Sequence, residues 1–257
     1  MLSYPEIEGN TMEKGLESLE AMEYPGRIII IGKDKPGRNV VVTYAITGRS
    51  PSSQARKLVI ENGTVWTRPT DETTLQKGNL DLLVYPAIWV EKGIAVSNGK
   101  QTEDIRKHLS QSQNPKEILL SSLEDWDYEP DAPNFTPRIS GCILSPEKAA
   151  LSIIKRGSDG ATVKSIFEFP LVAGQGKMIT TYTGENKKPL PSFRGKPVDV
   201  GIQGQKPERV AEAVYQALNP KKPGKDFRVA VACIFSRDLA LDKFEGYIIN
   251  RYERVKK

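Results

Sequence analysis

Apolar runs near the start of the chain predict β-strands joined by a tight turn. Residues 27–32 include four consecutive isoleucines, and a Lys-Pro-Gly-Arg turn separates them from a second apolar run at residues 40–46. Two such runs around a short turn predict a hairpin. Because neither run alternates with polar residues, both strands are expected to be buried on both faces.

The strand pattern continues to about residue 97. Residues 58–61 and 64–67 predict a second hairpin, because Asn62-Gly63 between them strongly favours a two-residue turn. Residues 82–85 and 94–97 predict two further strands. The first hundred residues are therefore expected to be mainly sheet.

Three segments instead space their apolar residues as helices do. Residues 11–23 predict a short amphipathic helix with Thr11 as its cap. From Thr102 onward the period changes again, and Ile105 and Leu109 share one face. Asn114-Pro115 then supplies a cap and a first-turn proline for the next helix.

The second half of the chain returns to strands, and one more predicted helix precedes the last two strands. Residues 139–144, 149–155 and 162–169 predict an antiparallel meander, and residues 227–235 and 244–252 predict the last strands. Residues 184–206 are rich in Gly, Pro, Lys and Gln and predict an exposed basic loop. Pro207-Glu208 opens a helix with Val210, Val214 and Leu218 on one side.

These elements predict an α+β fold. Strands dominate both halves and there is no regular β-α alternation, so the expected architecture is a four-layer α-β-β-α sandwich with two mainly antiparallel sheets face to face and helices outside. A length of 257 residues fits one domain, residues 1–257, with residues 1–23 as a helical extension.

Composition narrows the classes of function only slightly. The net charge of +5 comes from 37 basic and 32 acidic residues that are dispersed, which suits an anionic metabolite as well as nucleic acid. No stretch of about 18 apolar residues predicts a membrane span, and the N-terminus lacks a secretory pattern. We therefore expect a soluble, cytoplasmic protein without a membrane partner.

Few residues are available for metal binding or nucleophilic catalysis. Cys142 and Cys233 lie in apolar strand-like runs, where a thiol is more often part of the core than a nucleophile. The single histidine, His108, is predicted to be a surface residue of a helix. These counts cannot supply a structural zinc site, and no acidic cluster has the spacing of a calcium loop, so no metal site is expected.

The most unusual stretch is residues 126–139, which crowds carboxylates, an amide, hydroxyls and a guanidinium between three prolines. Proline restricts the backbone on both sides of Glu129, Asn134 and Thr136, so these side chains should be held in place. Fixed polar groups between rigid elements suit a small-molecule site. The simpler interpretation is a surface turn in which Arg138 pairs with a nearby carboxylate.

Three other segments are weaker candidates. Arg49 and Arg56 lie in a serine-rich loop after a predicted strand, and guanidinium groups suit a phosphate, although a solvated loop is as good an interpretation. The turn at Asn98-Gly99 leads into a helix start that could bind an anion, but a plain turn with a helix cap is favoured. Tyr85, next to Pro86, is by default a core aromatic residue.

The order of the motifs is more specific than any one of them. The strongest is Asp127-Tyr128-Glu129 followed by Asn134-Phe135-Thr136-Pro137-Arg138-Ile139, and the others are Tyr24-Pro25-Gly26-Arg27, residues 44–56, Val96-Ser97-Asn98-Gly99 and Ile179-Thr180-Thr181-Tyr182. Together they resemble the archaeal-type IMP cyclohydrolase family, the stand-alone enzymes of the last step of purine synthesis. The likeness spans residues 24–250, and the residues before Tyr24 and those around 184–197 are additions to the family pattern.

The resemblance implies a fold and a reaction. The fold would be like that of the N-terminal-nucleophile hydrolases, without their self-processing. The reaction would close the purine ring of 5-formamidoimidazole-4-carboxamide ribonucleotide to IMP with loss of water, without metal or cofactor. A homo-oligomer is also implied, and nucleic acid is not an expected partner.

The resemblance also implies roles for individual residues. Glu129 would be the base, Tyr85 the donor to the formyl oxygen, and Arg56 a positive group at that oxygen. Substrate-binding residues would contact the phosphate, base or ribose or hold Glu129 in place, and they are Arg27, Arg49, Asn98, Gly99, Thr136, Arg138 and Tyr182. Asn134 is expected to join these contacts.

Some alternatives stay open on the sequence. The spacing of Arg49 and Arg56 is longer than the family's, so either arginine could be the catalytic one. The chain could also be an amide or formamide hydrolase for a related ribonucleotide. A third possibility is a non-catalytic nucleotide- or RNA-binding domain that uses the basic segment.

Overall fold

The protein, seen in a computed structural model that describes residues 15–71, 73, 80–221, 225–241 and 243–255, is built mainly from β-strands. The strands in this part of the chain are β1 (Arg27–Lys33), β2 (Val40–Thr47), β3 (Arg56–Glu61), β4 (Thr64–Pro69), β5 (Pro86–Val90), β6 (Ile94–Ser97), β7 (Arg138–Ser145), β8 (Lys148–Arg156), β9 (Thr162–Pro170), β10 (Gln175–Thr180), β11 (Val198–Gly201), β12 (Arg228–Ser236) and β13 (Phe244–Asn250). The helices are α1 (Glu17–Glu20), α2 (Pro51–Gln54), α3 (Leu80–Leu83), α4 (Gln101–His108), α5 (Pro115–Ser122), α6 (Pro207–Ala217) and α7 (Arg251–Val255).

The strands form two antiparallel sheets. The six-stranded sheet has the order β11-β10-β1-β2-β12-β13, and the seven-stranded sheet is a meander that runs in chain order from β3 to β9. The β1–β2 hairpin pairs Arg27 with Ile46 and Lys33 with Val40. The β3–β4 hairpin turns at Asn62 and Gly63, which both have positive φ, as a type I′ turn requires.

The two sheets pack face to face, and this explains the isoleucine run of β1. Ile29 and Ile31 point into the core between the sheets, together with Ile88 and Ile143 of the seven-stranded sheet. Ile28 and Ile30 point the other way, into a second core under α6. A strand covered on both faces needs apolar residues at every position.

Helices cover the outer faces. Helix α6 packs on the six-stranded sheet through Val210 and Val214. Helices α4 and α5 pack on the seven-stranded sheet through Ile105 and Leu119. The side chain of Asn114 caps α5 by accepting from the Lys116 N–H. The predicted α+β sandwich with helices outside is confirmed.

Both cysteines are free and buried in the outer cores, Cys142 under α4 and α5 and Cys233 under α6. Burial raises the pKa of both thiols, to about 12 for Cys233. The prediction that they are core residues is confirmed.

Two strand predictions need correction. Residues 82–85 were expected to be a strand, but Leu82 and Leu83 end the helical turn α3 and the strand begins at Pro86. A run of four apolar residues fits either structure, so periodicity alone cannot distinguish them. The last predicted strand, residues 244–252, ends at Asn250, and α7 follows it.

The exposed loop expected at residues 184–206 is only partly correct. Leu190 and Phe193 are buried, and β11 pairs with β10 at the edge of the six-stranded sheet. Strand β10 also escaped prediction, because glycine and lysine break up its apolar pattern. These errors come from polar or small residues inside strands.

Residues 11–14 of the predicted N-terminal helix at residues 11–23, including its cap Thr11, lie outside the described residues. Its described part contains the short helix α1, with Leu16 and Leu19 buried against the α6 side of the six-stranded sheet. No helix of the described ranges is long and apolar enough to cross a membrane.

Candidate functional site

A cavity of about 640 Å³ opens where the ends of several strands and their loops meet, within the usual volume range of ligand pockets. Its walls come from residues just before β1, after β2, between α5 and β7, after β10 and before β12. The lining residues are Tyr24, Arg27, Arg49, Ser50, Ser52, Ser53, Leu82, Leu83, Glu129, Asp131, Asn134, Thr136, Tyr182, Asn186, Lys188, Leu190, Lys225 and Phe227.

The stretch at residues 126–139 is folded back on itself at the cavity. The Glu129 N–H donates to the Thr136 carbonyl oxygen at 2.9 Å. The Asp131 carboxylate accepts from the Thr136 N–H at 2.6 Å and from its hydroxyl at 2.5 Å. These bonds fix the loop from inside, so the Glu129 side chain projects from a rigid support.

Glu129 is a buried carboxyl group that lines the cavity and has few close partners. Its side chain is 3% exposed, and its Oε1 lies 3.4 Å from Asn98 Nδ2 and 3.9 Å from Arg138 Nη1. Burial raises the pKa of Glu129 to about 7, against the opposing charges of Arg27 and Arg138. A carboxylate with this pKa can accept a proton near neutral pH.

Asn98 and Arg138 lie behind Glu129 and do not line the cavity. Asn98 Nδ2 donates to the Pro137 carbonyl oxygen at 2.9 Å, and Asn98 Oδ1 accepts from the Ile139 N–H at 2.8 Å. Arg138 Nε donates to the Asp127 carbonyl oxygen at 2.8 Å, and its guanidinium lies 4.8 Å from the Trp126 ring centre. Asn98 thereby ties the turn after β6 to the stretch that carries Glu129. Arg138 ties the same stretch to α4, because its Nη1 donates to Gln101 Oε1 at 3.3 Å.

Gly99 also lies outside the cavity lining, in the turn before α4. A Cβ at this position would come within 2.4 Å of Gln101 Oε1 and 2.8 Å of Arg138 Nη1. Any larger residue here would therefore displace the Gln101 side chain and the Arg138 guanidinium. In this structure Asn98 and Gly99 brace the site without facing the cavity.

Two tyrosines and two arginines form a buried cluster beside Glu129. The hydroxyl groups of Tyr44 and Tyr85 are 2.6 Å apart. Burial and the nearby Arg27 guanidinium lower the pKa of Arg56. Among the four, Arg27 lines the cavity, whereas Arg56 and Tyr85 are 1% exposed and do not.

The arginines of this cluster have unused hydrogen-bonding capacity. Arg56 Nε donates to the Ser53 carbonyl oxygen at 3.0 Å, but its Nη1 and Nη2 find no partner in the part of the chain that the structure describes. The same holds for Arg27 Nε. Buried unpaired donors are costly, and at a cavity wall they are candidates for contact with a ligand.

Three aromatic residues form another part of the cavity lining, which we call the aromatic wall. Tyr24 stacks on Tyr182 with ring centres 5.9 Å apart and meets the edge of Phe227 at 5.3 Å. The Tyr182 hydroxyl lies 2.6 Å from the Thr136 hydroxyl, and burial raises the pKa of Tyr182. Flat aromatic faces with hydroxyl groups at their rim suit a planar polar ligand.

Positive charge collects at another part of the wall, with Arg49, Lys188 and Lys225 lining it. The Arg49 guanidinium lies 5.0 Å from the Tyr24 ring centre and donates to Asn186 Oδ1 at 2.9 Å. These cations would attract an anionic group.

The structure thus divides the residues singled out in the sequence into two groups. Those that line the cavity are Arg27, Arg49, Glu129, Asn134, Thr136 and Tyr182, and those that pack around it are Arg56, Tyr85, Asn98, Gly99 and Arg138. Arg27, one of the predicted substrate-binding residues, lines the cavity within the cluster beside Glu129. Sequence reasoning missed Tyr44, Asn186, Lys188, Lys225 and Phe227 because nothing near them distinguishes them from ordinary core or surface residues.

His108 lies on α4 with its Nδ1 2.7 Å from the Asp104 carbonyl oxygen, and it does not line the cavity. Among the described residues, no group of three or more His, Cys, Asp or Glu side chains is arranged to hold a metal ion.

Comparison with known proteins identifies the family of this chain. A family described as "IMP cyclohydrolase-like protein" matches residues 24–236. The IMP cyclohydrolase of Methanocaldococcus jannaschii is 27% identical over 82% of this chain and 91% of its own length, and that of Natronomonas pharaonis is 27% identical over 67% and 78%. The IMP cyclohydrolase of Methanopyrus kandleri is 32% identical over 46% of this chain, and this match spans 57% of that relative's length.

The family match includes all the motifs around Glu129 and the end of β12, and it covers well over half of the chain. On this basis the chain belongs to the IMP cyclohydrolase-like protein family.

Proposed function

We propose that this protein is an IMP cyclohydrolase that converts 5-formamidoimidazole-4-carboxamide ribonucleotide to IMP and water. The observation that carries the proposal is Glu129, a buried carboxyl group with a pKa of about 7 that faces a nucleotide-sized cavity beside the Arg27 guanidinium. Family membership supports the same reaction.

The reaction needs proton transfers and no electron transfer. The carboxamide nitrogen attacks the formyl carbon, and a C–N bond forms as the formyl oxygen becomes a hydroxyl group. That hydroxyl then leaves as water, while the carboxamide nitrogen and the formamide nitrogen have each lost one proton. Both reacting groups belong to one molecule, so the protein mainly has to select the folded conformer and move the protons.

Glu129 is proposed as the base that removes the carboxamide proton during attack. Its carboxylate has a pKa near neutrality because it is buried, which suits a group that must accept and return a proton at physiological pH. General acid–base assistance of this kind contributes a rate factor of about a hundred to ten thousand.

Arg27 is proposed as the positive group that meets the formyl oxygen as negative charge develops. It lines the cavity and its buried Nε has no partner within the described residues. Tyr85 and Arg56 were assigned to this oxygen on the sequence, but neither lines the cavity. We propose that they act from behind the cavity wall, Arg56 through its positive charge and Tyr85 through its hydroxyl group, which is paired with that of Tyr44.

The aromatic wall is proposed to bind the base of the nucleotide. Tyr24, Tyr182 and Phe227 offer flat apolar surface, and the linked hydroxyls of Thr136 and Tyr182 offer polar contacts at its rim. The Asp131 carboxylate, which lines the same cavity, is a candidate acceptor for ribose hydroxyls.

A product analysis tests the function. Purified protein is incubated with the formamido ribonucleotide, with and without a chelator, and the products are separated by chromatography. We expect IMP to accumulate at the same rate in both samples, because the proposed proton transfers use only side chains. Release of formate with 5-aminoimidazole-4-carboxamide ribonucleotide would instead identify a formamide hydrolase, and IMP binding without turnover would identify a binding protein.

A further inference from the structure

One wall of the cavity is formed by residues 184–190, which we call the basic wall. Asn186, Lys188 and Leu190 of the basic wall line the cavity. This segment belongs to the part of the sequence that departs from the family pattern in the resemblance described above.

The basic wall is anchored at both ends. The Gly184 carbonyl oxygen accepts from the N–H groups of Glu23 and Tyr24 at 2.9 and 2.8 Å. At the other end the Leu190 N–H donates to Asn134 Oδ1 at 3.2 Å, and the Leu190 side chain is buried. The segment is thus fixed to the entry of β1 and to the stretch that carries Glu129.

The basic wall also holds Arg49. Arg49 Nη1 donates to Asn186 Oδ1 at 2.9 Å and to the Lys187 carbonyl oxygen at 3.1 Å. Asn186 is itself fixed, because its Nδ2 donates to Glu23 Oε1 at 3.1 Å. The guanidinium therefore lies over the Tyr24 ring in one orientation.

Lys188 places a second positive charge next to this guanidinium. Lys188 lines the cavity and directly follows Lys187, whose carbonyl oxygen accepts a hydrogen bond from Arg49. Its neighbour Lys187 forms an ion pair with Glu185, whereas Lys188 has no carboxylate partner among the described residues. The acidic residues of the lining, Glu129 and Asp131, belong to the stretch at residues 126–139.

We propose that the basic wall is the phosphate-recognition element of the cavity. Lys188 contacts the phosphomonoester of the ligand, and Asn186 positions Arg49 to contact the same group. Arg27, which lies beside Glu129 in the cavity lining, is then free for the proposed reacting centre. That the ligand is a nucleotide rests on the proposed function, but the contacts with a phosphate do not depend on turnover.

Calorimetric titration with IMP and with inosine, which lacks the phosphate, tests the proposal. In Lys188→Ala we expect IMP to bind about tenfold more weakly, as for loss of one hydrogen bond to a charged group, while inosine binding stays the same. Asn186→Ala should also weaken IMP binding selectively. A residue with only a structural role would weaken both ligands equally, so the ratio of the two affinities distinguishes positioning from damage.

Lys196→Ala is the matched control, because it removes one positive charge from the same basic region at an exposed residue outside the cavity lining. It should leave the ratio of IMP to inosine affinity unchanged. An equal fall in Lys196→Ala and Lys188→Ala would mean that net charge alone matters and would overturn the proposal. An unchanged ratio in Lys188→Ala would overturn it as well.

The same titrations separate this proposal from the proposed function. In one outcome the protein makes no IMP, but Lys188→Ala still abolishes its preference for IMP over inosine. This result would refute the cyclohydrolase activity and support the phosphate contact of the basic wall. In the opposite outcome the enzyme makes IMP, but Lys188→Ala leaves its preference for IMP over inosine unchanged. This result would support the cyclohydrolase activity and overturn the phosphate contact of the basic wall. Wild-type protein that binds IMP no better than inosine would overturn the phosphate contact outright.

Discussion

Replacing Glu129 by glutamine should make the protein more stable at alkaline pH while removing its activity. The pKa of this carboxyl group is raised from its ordinary value of 4.5 to about 7 because it is buried. A folded protein that raises a carboxyl pKa binds the proton more tightly than the unfolded chain does. The stabilising contribution of protonated Glu129 is therefore complete below about pH 4.5 and is lost as the pH rises through about 7.

The size of the effect follows from the same two values. Each pKa unit corresponds to about 1.4 kcal/mol, so ionised Glu129 lowers the free energy of unfolding by about 3 kcal/mol relative to the protonated form. The side chain is 3% exposed, so solvent screening reduces this value little. Glutamine has nearly the same shape and does not ionise, so the variant escapes this loss.

Urea unfolding at pH 5 and pH 8.5, followed by the fluorescence of the three tryptophans, measures the difference. We expect the free energy of unfolding of Glu129→Gln, relative to wild type, to increase by about 3 kcal/mol between the two pH values. The chain has a single histidine, so few other groups change charge in this range. Glu124→Gln, at an exposed residue of the same region, should follow the wild type at both pH values.

Parallel pH dependence of wild type and Glu129→Gln would refute the reasoning. It would mean that Glu129 has the same pKa in the folded and unfolded states, and hence that burial does not adjust it for proton transfer near neutral pH. A catalytic role would then need another basis.

Three further predictions follow from the geometry of the site. Arg27→Lys keeps the charge but loses the planar guanidinium, so the turnover number should fall roughly a hundredfold, while the melting temperature stays the same. An undiminished turnover number would show that Arg27 does not act at the reacting centre. Asn98→Ala leaves the Pro137 carbonyl and the Ile139 N–H unpaired and should lower the free energy of unfolding by about 3 kcal/mol in urea titrations; a loss below 1 kcal/mol would indicate that water replaces the amide. Gly26→Ala introduces a Cβ only 2.0 Å from Thr181 Oγ1 and 2.6 Å from the Tyr182 ring, at a φ of +79°. It should therefore displace the aromatic wall, lower the melting temperature and weaken IMP binding. A melting temperature and an IMP affinity equal to those of wild type, both measured by calorimetry, would contradict this prediction.

The layers of the fold were predictable because they follow from local patterns. The isoleucine run of β1, the turn at Asn62-Gly63 and the cap at Asn114 each specify one structure by short-range chemistry. Strands β10 and β11 were not predictable, because their pairing with β1 and with each other compensates for a weak apolar pattern. Tertiary contacts override local preference in such segments.

The site was predictable to a different extent. The motif order pointed to Glu129, Thr136 and Tyr182, which do share one cavity. The sequence could not decide between Arg49 and Arg56 as the catalytic arginine, because only the folded chain shows that Arg49 lines the cavity and that Arg56 is buried behind it. Lys188 could not be found at all, because in the sequence it is one of many lysines in a polar segment.

The central claim is that Glu129 is the base for closing the purine ring. The most direct test is the initial rate of IMP formation from the formamido ribonucleotide at pH 8, measured for wild type and for Glu129→Gln with both proteins shown to bind IMP. We expect the variant to be slower by a factor of about a hundred to ten thousand. A Glu129→Gln variant that forms IMP at the wild-type rate would contradict the claim.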